Sequence, residues 1–184
     1  MGTHVLKNIL LALVFSVASA SLVQAETIRI GATGGPHAEI LEQVKTLAAK
    51  EGLELKIIEF DDYQLPNAAL VNGDLDANSF QHQPFLDAQV KDRGYPLTSI
   101  AKTVIFPIGL YSKKIKALDA LKDGDKIAIP NDPTNGGRVL LLLQSNGLIK
   151  LNPDAGIKAS PLDIVENPKK LKIVELPAAQ LPRS

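Results

Sequence analysis

Cysteine and tryptophan are both absent from the 184-residue sequence, and aromatic residues make up only 4% of it. The lack of cysteine excludes disulfides, thiolate metal sites, cysteine nucleophiles and a lipid attached through a thioether. The scarcity of aromatic side chains argues against a stacking platform for single-stranded nucleic acid. The 20 basic and 20 acidic residues cancel to a formal net charge of zero. The basic excess of a nucleic-acid-binding protein is therefore missing, and no nucleic-acid partner is expected.

Residues 1–25 have the pattern of a secretory signal peptide. Ile9–Ala18 is a ten-residue apolar run, and small residues lead from it to Val23-Gln24-Ala25, which is typical of a cleavage site. The run is too short to span a membrane, which takes about 20 apolar residues. We therefore expect cleavage after this triplet and a periplasmic protein that starts at Glu26. No lipid anchor is expected, because Glu26 stands where a lipoprotein signal requires cysteine.

The first part of the remaining chain predicts a β-α-β unit. Isoleucine alternates with polar residues in Glu26–Ala32, which is typical of a strand, and Leu53–Phe60 is a second apolar strand. Between them, apolar residues recur at helical spacing from Pro36, and Gly52 ends that helix. This order implies a parallel sheet with a right-handed crossover. Three further elements are predicted, namely a short helix at 66–71, a short strand at 74–80 and a helix at 83–93.

The second part of the chain predicts another α/β unit. Leu97–Tyr111 is a long β-rich stretch that we expect to cross between two lobes, with lobe one at 26–106 and lobe two at 107–184. Lobe two then contains a strand at 126–129, a polar loop at 131–137, an apolar helix that opens at 138, a strand at 171–175 and a helix that begins at 176. Because the sequence stops just as that last helix opens, we expect lobe two to be incomplete at its C-terminus. A small complete lobe is the alternative.

Arg138 is the most informative charged residue. Only four arginines occur beyond residue 25, and this one directly follows Asn135-Gly136-Gly137 and precedes a run of valine and leucine. We expect it at a helix start, where two parallel hydrogen bonds from its guanidinium and the helix N-terminus could hold a ligand carboxylate. A structural salt bridge is the alternative. In the same loop, Asn135 is the best candidate for a second ligand contact, although Asn131, Asp132 and Asn135 could equally be capping and turn residues.

Four ring side chains surround a predicted strand-to-helix junction, namely Tyr63, Phe80, His82 and Phe85. Since ligands of open α/β sheets bind at the carboxyl ends of strands, the cluster predicts a pocket wall, and core packing explains any single aromatic equally well. His82 is the one candidate for a general base, and it has no identifiable nucleophile. With two histidines beyond residue 25 and no cysteine, no metal site is expected.

The turn Gly31–Pro36 separates the first strand from the first helix. Its backbone N–H groups could hold an anion, but the motifs of a P-loop and of a dinucleotide-binding loop are both missing. A simple tight turn and a ligand-facing turn both remain possible interpretations.

Four longer motifs resemble those of the NlpA family, the methionine-binding components of bacterial ABC importers. The motifs occur in the same order and cover most of the chain beyond residue 25, namely Asp62–Asn67, Asp76–Phe85, Phe106–Lys114 and Ile129–Arg138. The resemblance implies an α/β protein with the two-lobed periplasmic-binding-protein fold of type II. It also implies a free amino acid as ligand, usually methionine, and delivery to a permease and ATPase complex at the inner membrane.

The resemblance further implies which residues bind the ligand. Tyr63, Phe80, His82 and Phe85 correspond to residues around the thioether, and Asn135 and Arg138 to residues that contact the zwitterion, with Arg138 on the carboxylate. Three departures stand out: the lipobox cysteine is absent, phenylalanine occupies position 85 where tyrosine is frequent, and the later segment that completes lobe two is missing. The expected function needs no catalysis and no cofactor. An enzyme on the same fold and a truncated, non-binding remnant are the alternatives.

Overall fold

Two separate parallel β-sheets, one in each half of the chain, organise the structure, a computed structural model that describes residues 26–184. The predicted signal peptide lies outside the described residues. We call residues 26–93 the first unit, residues 94–117 the connector and residues 118–184 the second unit. None of the helices in the described range combines the length and the apolar composition that a membrane span requires.

The first unit is a three-stranded sheet with helices packed against it. Its strand order is β2 (Leu53–Phe60), β1 (Glu26–Thr33) and β3 (Ala77–Asn78). Both neighbours run parallel to β1, which confirms the predicted β-α-β unit. The predicted strand at 74–80 is only two residues long. Ala32, Ala38 and Leu41 form the buried core between β1 and the first helix. The elements are β1 (Glu26–Thr33), α1 (Pro36–Ala48), β2 (Leu53–Phe60), α2 (Leu65–Val71), β3 (Ala77–Asn78) and α3 (Gln83–Arg93).

The second unit packs a strongly apolar helix on a smaller parallel sheet, in which β4 pairs with β7. Ile129, Leu140 and Leu143 are almost completely buried at the centre of its core. The helix predicted after the last strand is a 3-10 helix at Ala178–Arg183. The remaining elements are β4 (Lys126–Pro130), α4 (Pro133–Ser145), β5 (Lys150–Leu151), β6 (Ile164–Glu166) and β7 (Lys172–Leu176).

The start of α4 corrects the sequence interpretation, because the helix begins at Pro133 and not at Arg138. The Asp132 side chain accepts a hydrogen bond from the backbone N–H of Asn135, so a cap and a proline in the first turn start the helix earlier. The two glycines that precede Arg138 therefore lie inside the helix. A Cβ atom on Gly137 would overlap the backbone carbonyl of Ile157, so this glycine permits close helix packing.

The connector corrects a second prediction, since residues 94–112 form neither a helix nor a strand. A β-rich sequence becomes a strand only where a neighbouring strand accepts its backbone hydrogen bonds. Within residues 26–184 no strand pairs with this stretch. Some of its apolar side chains are correspondingly open to solvent, with Ile100 87% and Ile105 70% exposed.

The two units touch each other on the side of α3. This helix of the first unit lies against α4 of the second unit. Close by, the Lys158 ammonium is 3.5 Å from the Asp92 carboxylate, which forms an exposed ion pair between the units. The connector, α3 and α4 thus bring the two units together around one cavity.

Candidate ligand-binding site

A cavity of about 200 Å³ lies where the two units meet, large enough for a small molecule and too small for a polymer. The first unit, the connector and α4 all contribute to its wall. The structure brings together every residue that the sequence suggested, namely Tyr63, Phe80, His82, Phe85, Asn135 and Arg138. Their common location is a structural fact, and their role in binding a ligand stays a prediction.

The cavity lies at the carboxyl ends of parallel strands, where open α/β sheets bind their ligands. Thr33 ends β1, and Phe80 follows β3 by two residues. On the other side, Asn135 and Arg138 belong to the helix that follows β4. The turn after β1 also faces the cavity through Thr33 and Gly34, which is the geometry of a ligand-facing turn.

Aromatic rings form one side of the cavity. The centroids of Phe80 and Phe85 are 5.9 Å apart in an edge-to-face arrangement, and the Tyr63 ring is 6.4 Å from each of them. Phe80 and Phe85 are both buried, and they also line the cavity. Core packing and a pocket wall are therefore two functions of the same rings, since edge-to-face packing fixes the shape of an apolar slot.

Arg138 is the cation of the cavity wall, and its guanidinium is held in place by two acceptors. Nη1 donates to the Asn135 side-chain oxygen at 3.0 Å, and Nη2 donates to the backbone carbonyl of Phe106 at 3.1 Å. Among the described residues it forms no salt bridge with a carboxylate. Because a guanidinium has five N–H donors, three remain for a ligand. The structural salt bridge considered as an alternative is therefore not formed in residues 26–184.

Asp132 orients the side chain of Asn135, which in turn orients Arg138. Its carboxylate is buried and accepts from the Asn135 backbone N–H at 2.9 Å and from the Asn135 amide at 3.1 Å. The amide therefore points its nitrogen at Asp132 and its oxygen at Arg138. The same carboxylate also accepts a hydrogen bond from the Thr134 hydroxyl. A buried carboxylate thus begins a short chain of hydrogen bonds that ends at the cavity.

Burial keeps two titratable rings of the cavity wall, those of His82 and Tyr63, neutral. It lowers the pKa of His82, with Arg138 acting in the same direction and Asp132 opposing. Burial also raises the pKa of Tyr63, so its phenol stays protonated. The Nε2 atom of His82 is buried without a hydrogen-bond partner among the described residues. It is therefore an unused polar atom in the wall of the cavity.

Five wall residues escaped the sequence interpretation, namely His37, Gln81, Val104, Ile105 and Phe106. His37 lies one residue into α1 and packs edge-on against Phe106, with ring centroids 5.2 Å apart, and burial lowers its pKa. Gln81 lines the cavity between Phe80 and His82. His37 follows the Gly-Gly-Pro turn in sequence, which was a usable signal. Nothing local in the sequence marks Phe106, because its position depends on the path of the connector.

The arrangement suits reversible binding of a small amphipathic anion. It offers a cation with free donors, neutral amide groups and an aromatic slot. Within the part of the chain that the structure describes, no group of three or more histidine and carboxylate side chains could hold a metal ion. Within residues 26–184, the titratable bases of the cavity wall are His37 and His82, and its hydroxyl groups are those of Thr33 and Tyr63.

Two α/β units with a cavity at their strand ends define a protein of the two-lobed periplasmic-binding-protein class, type II. This class agrees with solved structures that superpose on the chain with TM-scores above 0.8. The chain belongs to the NlpA lipoprotein family, whose model matches residues 28–184. The resemblance seen in the sequence and the expected fold class are both confirmed.

Three similar proteins are longer than this chain. The D-methionine-binding lipoprotein MetQ of Salmonella typhimurium is 55% identical over 178 residues, which are 94% of this chain and 66% of that protein. The crystal structure of the methionine-binding protein MetQ gives a TM-score of 0.83 at 54% identity, with 85% of this chain and 64% of that chain covered. A nutrient-binding protein from Burkholderia cenocepacia bound to methionine gives 0.82 at 59% identity, with 85% and 66% covered. The chain thus spans about two thirds of their length.

Proposed function

We propose that this protein is the solute-binding component of a bacterial ABC importer and that it binds free methionine in the cavity between its two units. The observation that carries the proposal is the pairing of Arg138, with three N–H donors free, and an aromatic slot in one cavity wall. Relatives named for methionine binding support the choice of amino acid.

Each part of methionine has a suitable partner in this wall. Arg138 holds the carboxylate, because a guanidinium binds both carboxylate oxygens at once. Tyr63, Phe80, His82 and Phe85 surround the thioether, whose sulfur gains roughly 0.3–1.5 kcal/mol from each aromatic contact. The oxygen of Asn135 is a neutral acceptor for the ammonium group. No carboxylate lines the cavity in residues 26–184, so neutral oxygens bind that ammonium.

Binding proceeds by closure of two lobes, lobe one at 26–106 and lobe two at 107–184. The cavity between the units and the contact of α3 with α4 support this division. Closure replaces water around the ligand by fixed dipoles and buries most of its surface. The closed protein then delivers methionine to a permease and ATPase complex at the inner membrane.

The protein acts in the periplasm after loss of its signal peptide and without a lipid anchor. The sequence of residues 1–25 and the absence of cysteine support this location, although relatives are named lipoproteins. The intact mass of the exported protein tests the point. A mass that begins at Glu26 is expected, whereas a retained leader or an added acyl group would contradict it.

The protein binds its ligand without converting it, and it uses no cofactor or metal. His82 is the candidate base that the sequence offered, and within residues 26–184 no cysteine, serine or carboxylate lines the cavity beside it. The names of the relatives, which describe binding proteins, support a binding role over an enzyme on the same fold.

Calorimetry on the purified chain 26–184 tests the function. We expect one-site binding of methionine, with the L and D enantiomers titrated separately and with methionine amide and methyl ester binding far more weakly. Circular dichroism establishes that the chain is folded before each titration. A folded chain that binds neither enantiomer at about 1 mM, which corresponds to about 4 kcal/mol of binding free energy, would refute the proposal and leave a non-binding remnant.

A further inference from the structure

Three side-chain amides form a closed hydrogen-bonded network beside the aromatic wall. Asn67 and Gln81 exchange reciprocal hydrogen bonds: Nδ2 of Asn67 donates to Oε1 of Gln81, and Nε2 of Gln81 donates to Oδ1 of Asn67, both at 2.8 Å. Asn78 completes the network by donating to the same Oδ1 at 2.9 Å. Asn67 is fully buried, and burial of a polar side chain is costly unless it is hydrogen-bonded, as Asn67 is here.

The network fixes the part of a loop that, in the described part of the chain, makes no backbone hydrogen bonds of its own. Asn67 belongs to α2, Asn78 ends β3, and Gln81 lies in the loop that leads to α3. Within residues 26–184, neither Phe80 nor Gln81 takes part in a backbone–backbone hydrogen bond. The amide pair therefore supplies the polar contact that fixes the loop at this point, and a fixed loop loses less conformational entropy when a ligand binds.

We propose that Asn67 is a positioning residue that, through Gln81, holds Phe80 and His82 in the geometry that the ligand requires. The inference rests on the proposed function for the identity of the ligand, but the geometry itself is independent of it. Phe80 and His82 flank Gln81 in sequence, and all three line the cavity, whereas Asn67 is no part of the wall. A wall set before the ligand arrives is the arrangement that binding sites use to limit the entropic cost of association.

Replacement of Asn67 should weaken binding by loosening the wall. We expect Asn67→Ala and Gln81→Ala each to weaken methionine binding about tenfold, at the lower end of what removal of supporting partners costs at built sites. The double variant should be no weaker than the worse single variant, because both substitutions break the same amide pair. Asn72→Ala is the matched control, since Asn72 is an exposed asparagine at the end of the same helix and should bind like the wild type.

The pKa of His82, followed by NMR without any ligand, separates positioning from mere stability. Burial and the positive charge of Arg138 hold this pKa below its ordinary value, against the carboxylate of Asp132. A loosened wall should admit water and move the ring away from Arg138, so the pKa of His82 should rise in Asn67→Ala and Gln81→Ala. His37 is the internal reference, since it lies on α1 and packs against Phe106, outside the loop that the substitutions loosen, so its lowered pKa should change less than that of His82.

The outcomes divide cleanly. A weaker affinity per folded molecule together with a raised His82 pKa supports the positioning role. An unchanged His82 pKa in both variants, with only the melting temperature lowered, overturns it and makes Asn67 a structural residue. If the wild-type chain does not bind methionine, the proposed function fails while the ligand-free titration still tests the positioning role. Should Asn67→Ala fail to fold, Gln81→Ala alters the same pair from its half-buried side.

Discussion

Replacing Arg138 by alanine removes three things from the cavity at once. The positive charge disappears, the donor to Asn135 is lost, and the hydrogen bond to the backbone carbonyl of Phe106 is broken. Only the first of these acts directly on a ligand carboxylate. The bond to Asn135 lies within α4 and the bond to Phe106 joins α4 to the connector, so an effect on stability must be separated from an effect on binding.

The expected loss of affinity follows from the position of Arg138. Removing one partner of a buried, charge-assisted pair costs about 2–5 kcal/mol, and two charges 4 Å apart attract by about 4 kcal/mol at an effective dielectric constant of 20. Arg138 is half-buried, so solvent screens part of this attraction and the lower end applies. A loss of about 2 kcal/mol corresponds to roughly 30-fold weaker binding.

Calorimetry with methionine and with its methyl ester isolates the carboxylate contact. The wild type should prefer the acid strongly, whereas Arg138→Ala should bind acid and ester about equally weakly. Arg138→Lys should recover only part of the preference, because an ammonium cannot make the two parallel hydrogen bonds of a guanidinium. Arg93→Ala is the matched control. That arginine is exposed, donates to Gln64 at 2.8 Å and stacks on Tyr95, outside the cavity.

One result would refute the reasoning. If Arg138→Ala still prefers the acid to the ester by the wild-type margin, the carboxylate is held elsewhere. The turn after β1 would then be the next candidate, because Thr33 and Gly34 line the cavity beside the free backbone N–H groups that begin α1. A lower melting temperature with unchanged ligand preference would assign Arg138 to the contact with Phe106 alone.

Three further predictions concern the hydrogen bonds and charges around this site and on the first sheet. Asp132→Ser should keep the helix cap but lose the hydrogen bonds that fix the Asn135 amide. The free energy of unfolding from thermal melting should therefore change by less than about 1 kcal/mol, while calorimetry shows weaker ligand binding. Equal losses of stability and of binding free energy would contradict this. The folded-state pKa of His82 is lowered, so the unfolded chain binds the proton more tightly. The free energy of unfolding should therefore fall as pH drops below about 6.5. His82→Gln should reduce this dependence of stability on pH, measured by melting curves at several pH values. The Arg29 side chain lowers the pKa of Asp76 from 3.8 to about 2, so its contribution to stability is present above pH 3.8 and lost as pH falls towards 2; the difference in melting temperature between wild type and Asp76→Asn should shrink across that range, and a constant difference would refute the pairing.

Local patterns were enough to predict most of the first unit, although β3 is much shorter than the strand expected at 74–80. The alternation in β1, the proline at the start of α1 and the apolar run of β2 are properties of neighbouring residues, and the structure places β1, the start of α1 and β2 within a residue of their expected bounds. The β-rich connector forms no strand, because a strand needs a partner strand for its backbone hydrogen bonds. Its β-rich composition expresses a preference, and within residues 26–184 no strand is available to pair with it.

The start of α4 was predicted wrongly for a different reason. Glycine pairs usually mark loops, because glycine weakens a helix by about 1 kcal/mol relative to alanine. Here that cost is offset by packing, since a side chain on Gly137 would overlap the carbonyl of Ile157. Such a contact joins two segments that are distant in sequence, so no reading of residues 131–138 alone could reveal it.

The six candidate site residues could be picked out of the sequence because aromatic side chains and, beyond residue 25, arginines are scarce in it. Rings concentrated at Phe80–Phe85 and a rare arginine beside an apolar run were unusual enough to point to one cavity. Gln81 lay inside that same motif but is a common surface residue type, and only its bonds to buried Asn67 reveal its place. Phe106 likewise enters the site through its backbone carbonyl, which the identity of its side chain does not predict.

At the start of α4, capping the helix and placing a side chain in the cavity wall are not competing roles. Asp132 caps the helix through the backbone N–H of Asn135 and, with the same carboxylate, fixes the Asn135 amide. That amide then accepts from Arg138, whose other side donates to Phe106 of the connector. A buried negative charge therefore orients a partly exposed positive one through a neutral amide, which separates the two charges and leaves the guanidinium available to an anion. Had Asp132 paired with Arg138 directly, the arginine would have been neutralised, and the carboxylate contact that we propose for Arg138 would have lost its charge.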